Sequence, residues 1–373
     1  MTTLLWVEPD LGTISGGLRY NQQLRAALNT SGVQNPVLSL PGDWSAPLTA
    51  DGPGLVAQVT SAAEEHDAGA VVIDGLIGSA CPELFTPAEP TRILLVHLSA
   101  ALAQELEGQQ LEGAACPETP DPEVLRREEL AVESADHVIT ASRWSAEQLR
   151  RRYGREEIIV ALPGMELRPE TPTGQTSSAQ NPAVQNREAQ TPAPADRPIP
   201  QLACVSAFLP VKNHRLLAPA LEPLLDLPWE LTLAGPHSRS DYGGEVIEEL
   251  RHRLPGRVRS LGTLSPAEVA QLWQDTDLVL LPSAVETYGM VVAEACAAGV
   301  PSFIPSGTGA VEAAGEAGVV LDPQRPQEWT AALRQWLSSS EQRADLRERA
   351  RRRRDSLPSW EQAAQQFRVL LPE

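Results

Sequence analysis

Leu280 to Pro301 reads LLPSAVETYGMVVAEACAAGVP. An apolar run ends at Pro282, a short polar loop follows, and a helix is expected from Gly289 to Ala298. Gly299 stops it, a residue suited to the left-handed position just past a helix C-terminus. Strand, loop and helix in that order form one unit of an α/β fold. Gly289 puts nothing bulky in front of the first turn, whose open N–H groups and dipole favour an anion such as phosphate. Glu286 falls in the loop and Glu294 inside the helix. A carboxylate among Val291, Val292, Ala293, Ala295 and Cys296 needs a partner. Solvent is one; the vicinal hydroxyls of a ribose, giving two hydrogen bonds, are another.

Working outward, the same alternation fills most of the chain. Apolar strand candidates are Leu4 to Val7, Pro36 to Leu40, Ala70 to Ile73, Arg92 to His97, His137 to Thr140 and Ile158 to Ala161. The first is followed by a turn and SGGLRYNQQLRAAL, a Gly-rich loop running into a helix; Ser142 to Tyr153 is a second helix, capped by its Ser and ended before Gly154. A second series begins at Gln201: QLACVSAF as strand, His214 to Leu225 as helix, Trp229 to Ala234 as strand, and Gly243 to Leu254 as helix. Val258 to Leu261, the helix Pro266 to Gln274, and the strands Leu278 to Leu281 and Pro301 to Ile304 complete it. Alternating strands and helices predict parallel sheets covered on both faces. Between the halves, PETPTGQTSSAQNPAVQNREAQTPAPADRPIP has almost no large apolar side chain and cannot offset the entropy of ordering. The expected organisation is a first domain over 1–167, a linker or loop over 168–200, a second domain over 201–357, and a terminal segment, 358–373, whose helix (Ser359 to Leu370) crosses back to the first domain. Two doubly wound sheets so joined face each other across a cleft, with ligands expected at the C-terminal ends of the strands.

Composition narrows the partners. The 373 residues are 42% hydrophobic and 21% charged, with a formal net charge of -19. So acidic a chain is a poor match to nucleic acid or to anionic lipid, both of which need cationic contacts. The runs Arg150 to Arg152 and Arg351 to Arg354 read as solvated helix faces. No apolar stretch approaches the ~20 residues of a membrane span, and MTTLLWVEPD lacks the basic start and apolar core of a signal peptide. Cys81, Cys116, Cys204 and Cys296 have no metal-ligand spacing. These features predict a soluble cytoplasmic protein with reduced thiols. Among all its cationic residues there is one lysine, Lys212.

Glu-x7-Glu within ETYGMVVAEACAAGVP resembles the signature of the family 4 retaining glycosyltransferases, built on the GT-B fold of two Rossmann-like doubly wound domains facing a central cleft. SGGLRY resembles that family's first Gly-rich loop, and His97 in LLVHLS its active-site histidine. ADHVITASRWSAEQLRRRYG resembles the end of the first domain. LTLAGPH and RVRSLGTLSPAEVAQLWQDTDLVLLPS resemble the region around the nucleotide base. The resemblance covers nearly the whole chain outside the linker. It implies transfer of a hexose from a nucleotide-diphosphate sugar, UDP-sugar favoured, with retention and without metal; the absence of Asp-x-Asp at a strand end agrees. It implies that Glu294 binds the donor ribose. Glu286 and the amides of Tyr288, Gly289 and Met290 would hold sugar and diphosphate. Gly16 and Gly17 would let the diphosphate and acceptor approach closely, and His97 would contact the transferring sugar.

Lys212 in VSAFLPVKNHRLL matches the lysine of the family's Gly-Arg-Leu-x3-Lys, and a fixed cation there stabilises charge on the leaving diphosphate. Ala207 stands where the family has Arg. Arg215 is a candidate to supply the missing charge, and a catalytically weakened nucleotide-sugar-binding protein is the alternative. Another is a transferase to a small non-sugar acceptor such as a thiol. Arg19, Tyr20 and Asn21 either face the acceptor or form the exposed first turn of a helix; Tyr288 and Trp144 are either packing residues or sugar platforms. A dinucleotide-dependent oxidoreductase is disfavoured because GTGAVE at Gly307 lacks the last Gly of G-x-G-x-x-G. A P-loop kinase is excluded because the sole lysine lies outside G-x4-G-K-[ST].

Overall fold

The computed structural model describes all residues except 1, 13–14, 43, 45–51, 88, 111–119, 166–198, 238–240 and 372–373. The expected linker therefore lies outside the described residues, apart from Ile199 and Pro200, as does Cys116.

Among the described residues two sheets form, each of six parallel strands. The first contains β1 (Leu4–Asp10), β2 (Val37–Pro41), β3 (Ala70–Asp74), β4 (Thr91–Val96), β5 (His137–Thr140) and β6 (Ile159–Val160), in the order β2-β1-β3-β4-β5-β6. The second contains β7 (Gln201–Val205), β8 (Glu230–Ala234), β9 (Val258–Ser260), β10 (Leu278–Leu280), β11 (Ser302–Pro305) and β12 (Gly318–Leu321), in the order β12-β11-β10-β7-β8-β9. The first order is flavodoxin-like and the second is that of the dinucleotide-binding fold. The strand order reverses between β1 and β3 in one sheet and between β7 and β10 in the other. Those two carboxyl-end crevices are where ligands bind in such sheets.

The central strands are largely apolar because both of their faces are covered, while the edge strands β2 and β9 are partly exposed. On one side Leu5, Val7, Val71, Ile73, Leu94 and Val96 pack under the helices Gly52–Glu65 and Pro122–Ser134. On the other, Leu4, Trp6, Val72, Ile93 and Leu95 pack under the helices Gly16–Thr30 and Trp360–Arg368. The latter comes from the far end of the chain: Phe367 stacks on Trp6 at 5.7 Å between ring centroids, and Trp360 meets Tyr20 at 5.5 Å. Met165 N–H donates to Pro358 carbonyl at 2.8 Å, and a Cβ on Gly164 would lie 2.1 Å from Trp360 N, so only glycine fits this crossing.

The stretch expected as one helix from His214 to Leu225 is broken into 3-10 turns at His214–Leu216 and Glu222–Leu224 around a short α-helix, Leu217–Leu221. Pro219 and Pro223 each remove a backbone donor that a continuous helix needs. Arg151, Arg351 and Arg352 are exposed, as expected of solvated helix faces, whereas Arg353 is half-buried. Arg353 donates to the carbonyls of Glu312 and Ala313, at 2.8 and 2.9 Å, near the C-terminus of the helix Ala310–Ala314. Among the described residues no helix is long and apolar enough to cross a membrane.

Candidate active site

Both crevices open onto one cleft. A pocket of about 300 Å3 is lined by Gly16, Gly17, Asp74 and His97 from the first domain and by Lys212 and Glu286 from the second. A larger hollow of about 700 Å3, beside Val56, Thr60 and Glu83 on the first domain, shares none of these groups. The candidate site residues therefore gather around the smaller space.

On the second-domain wall, Pro210–Lys212 forms a 3-10 turn after β7. Asn213 ends it in the left-handed region, φ 50°, which Asn tolerates better than most residues. Its side-chain amide donates to the carbonyls of Pro282 and Pro323, and Ala284 N–H donates to Val211 carbonyl at 2.8 Å. The loops after β7 and β10 are thereby tied together. Lys212 Nζ donates to Glu286 Oε1 at 2.6 Å, and Ser283 Oγ donates to the same oxygen at 2.9 Å. Gly309 supports this loop from below. Its N–H donates to Glu286 carbonyl at 2.7 Å, and a Cβ there would lie 1.9 Å from Thr287 carbonyl oxygen.

Gly289 has φ 81°, the backbone region that favours glycine, and starts the helix Met290–Ala297 with no side-chain cap. Tyr288 is buried, which makes it a packing residue rather than an exposed platform. Glu294 lies inside the helix with its carboxyl pulled from solvent; burial pushes its pKa up, opposed by the charge of Arg19.

On the first-domain wall, Ser15 caps the helix Gly16–Thr30 by accepting from Leu18 N–H. His97 follows β4, and its Nε2 lies 2.8 Å from Asn21 Oδ1. The ring sits over Gly17: a Cβ there would come within 2.7 Å of Cδ2, whereas one on Gly16 would meet nothing. Burial pushes His97 down to about 4, so it is neutral at physiological pH. Asp74 ends β3, caps the helix Gly75–Ala80 by accepting from Leu76 N–H at 2.9 Å, and presents Oδ2 3.9 Å from His97 Nε2. Burial pushes its carboxyl up to about 7, with a smaller contribution from the Glu8 charge.

The structure thus brings His97, Lys212, Glu286, Gly16 and Gly17 around one pocket, with Gly289, Met290 and Glu294 on the adjoining helix start. It also resolves three open readings. Tyr20 and Asn21 are buried rather than exposed, Tyr20 donating to Ala161 carbonyl at 2.8 Å. Arg19 reaches across the cleft to Glu294 at 2.9 Å. Trp144 donates to Gly307 carbonyl at 2.8 Å, beside the Arg143–Glu312 ion pair, so it fastens one domain to the other. Arg215 does not supply a charge to the pocket. It is held by Glu245 and Glu249 with its guanidinium over Tyr242. Asp74 and Gly309 were missed from the sequence. An acidic residue closing VVID at a strand end was the available signal for Asp74.

Two parallel doubly wound sheets with this strand order, facing across a cleft lined from both sides, define the GT-B architecture. The solved structures agree. Sucrose-phosphate synthase from Thermosynechococcus elongatus superposes with a TM-score of 0.75 at 20% identity, covering 99% of this chain and 98% of that one. The Anabaena protein HepE, solved with UDP and glucose, gives 0.73 at 19% identity and covers 99% of each chain. Residues 186–353 match the family model "Glycosyl transferases group 1". Among curated proteins, the D-inositol 3-phosphate glycosyltransferase of Corynebacterium urealyticum is 29% identical over 64% of this chain and 57% of its own length. That of Xylanimonas cellulosilytica is 30% identical over 74% of this chain and 66% of its own. The match spans roughly three fifths of the first of these relatives.

Proposed function

We propose that the protein is a family 4 glycosyltransferase that moves a hexose from a nucleotide-diphosphate sugar, UDP-sugar favoured, to an acceptor with retention of configuration and without metal. The observation that carries this reading is the meeting of Lys212 and Glu286 at 2.6 Å opposite Gly17 and His97 in one pocket. The second-domain match to the group 1 family and the UDP and glucose bound by HepE support it.

In this reading Glu294 binds the ribose and the amides at Tyr288, Gly289 and Met290 receive the diphosphate. Lys212 offsets charge on the leaving group, work otherwise done by a metal ion. Glu286 accepts from sugar hydroxyls. With Nε2–H donating to Asn21, neutral His97 keeps Nδ1 as an acceptor toward the sugar. The acceptor attacks the face that the diphosphate leaves, and its proton passes to the departing phosphate oxygen. Cys81, Cys204 and Cys296 are buried free thiols, in keeping with action in the cytoplasm.

A second reading, a nucleotide-sugar binder with weak turnover, is favoured by Ala207 and by the commitment of Arg215 elsewhere. Calorimetric titration with UDP, GDP and ADP in EDTA tests both. Micromolar binding of one diphosphate supports the donor site, and turnover in a donor screen separates enzyme from binder. Binding of none, with or without magnesium, rejects the donor site.

A further inference from the structure

Among the described residues, the two cations that meet the donor-side carboxylates of the cleft are each paired. Lys212 holds Glu286 at 2.6 Å, and Arg19 holds Glu294 at 2.9 Å across the domain boundary. The two pairs cancel, yet a nucleoside diphosphate brings at least two negative charges. Position 207 is alanine and Arg215 is engaged by Glu245 and Glu249. Of the other first-domain arginines, Arg25 lies against Glu8 and Arg143 against Glu312. Arg19 differs from these. It is on the first turn of the helix whose Gly16, Gly17 and Leu18 line the pocket with Lys212. Its side chain is 38% exposed, so it is free to turn.

The carboxylate it holds is the one assigned to the ribose. Ribose hydroxyls and the Arg19 guanidinium are both donors, and Glu294 is mostly buried, so they compete for the same acceptor. Ribose and diphosphate are adjacent parts of one ligand. A guanidinium displaced from the first is therefore within a side-chain rotation of the second, and its fork geometry suits phosphate oxygens.

We propose that Arg19 exchanges partners during donor binding: the ribose takes Glu294, and the released guanidinium moves from the facing domain onto the diphosphate, supplying the second cation that Ala207 does not. This rests on the donor reading of the cleft. A nucleoside alone breaks the Arg19–Glu294 pair with no phosphate to receive the guanidinium, so the site selects for ligands carrying phosphate. The exchange also draws the two domains onto one ligand.

The test is titration of UDP, UMP and uridine into the wild-type protein and the variants Arg19→Ala, Arg19→Lys, Glu294→Gln and Lys212→Ala, each checked for an unchanged melting profile. If GDP or ADP is the diphosphate bound, that series replaces uridine's. Arg19→Ala is expected to weaken UDP by about 10- to 100-fold, the worth of a charge-assisted contact. Uridine should bind that variant as well as or better than wild type, and Arg19→Lys should recover part of the UDP affinity. If Arg19→Ala leaves UDP unchanged, or weakens UDP and uridine alike, while Glu294→Gln and Lys212→Ala weaken UDP, the exchange is wrong and the donor site stands. If the wild-type protein binds no nucleoside diphosphate, both fall.

Discussion

Lys212 and Glu286, 74 positions apart in the chain, meet at 2.6 Å because Asn213 ties the turn after β7 to Pro282 at the end of β10. The strand order places those two ends side by side at the second sheet's reversal. The pair is therefore a product of topology. In the proposed reading, it sets a positive and a negative group to face the transferring sugar and its leaving diphosphate.

Replacing Lys212 by Ala should remove charge stabilisation of the leaving group. With a working donor, turnover is expected to fall by about 100-fold or more, as for loss of one transition-state donor. Diphosphate affinity should fall with it, and Lys212→Arg should restore part of both. Steady-state kinetics beside UDP titration decide this; unchanged turnover in Lys212→Ala would remove the residue from the mechanism.

Burial raises Asp74 to about 7 and lowers His97 to about 4, and the two have opposite pH signatures. Between pH ~4 and ~7 the folded state holds a proton on Asp74 that the unfolded chain has released, so this group's stability contribution falls as pH rises. His97 is neutral in the fold while the unfolded chain is protonated below ~6.5, so its contribution grows over pH ~4 to ~6.5. Asp74→Asn removes only the first effect. Its stability relative to wild type should climb between pH 4 and 8, by up to ~4 kcal/mol at ~1.4 kcal/mol per pKa unit. Denaturant melts at several pH values check it; a difference independent of pH would mean that Asp74 is ionised in the fold.

Much of this was legible in advance, for one reason. Strands buried on both faces must be apolar, and LLWV, AVVI, ILLV and LVLL announced themselves. The Gly-rich loop, the single lysine and the Glu-x7-Glu block carried the pocket. Strand order was not legible, since both sheets share the same local pattern; hence Asp74, which faces the pocket only because β3 lies beside β1, was overlooked. The partners of Arg19, Asn21 and Arg215 were equally hidden. Each is fixed by contacts between segments remote in the chain.

Gly17 and Gly16 separate in the same way. A methyl on Gly17 would lie 2.7 and 2.9 Å from His97 Cδ2 and Cγ, well inside carbon contact distance. Gly17→Ala should push the ring off Asn21 at a cost of about 1–3 kcal/mol, the range for overpacking. A methyl on Gly16 meets nothing. Gly16→Ala should therefore melt close to wild type while Gly17→Ala melts lower and shifts the His97 ring resonances. Equal melting points and unmoved resonances would contradict the geometry.

Gly309 offers the sharpest check on the loop that holds Glu286. It packs against Thr287 carbonyl where a Cβ would sit at 1.9 Å, and its N–H fixes Glu286 carbonyl. Backbone at that distance has no flexible end to give way, so Gly309→Ala must displace residues 286–288. The first sheet and its helices lie in the other domain and should be untouched. Diphosphate affinity is expected to fall at least tenfold, ~1.4 kcal/mol, with Lys212 and Glu294 still in the chain. Far-ultraviolet circular dichroism should remain that of the wild type. A Gly309→Ala protein that binds diphosphate normally would show that the Glu286 loop does not set the donor site, and the assignment of Glu286 would have to be withdrawn.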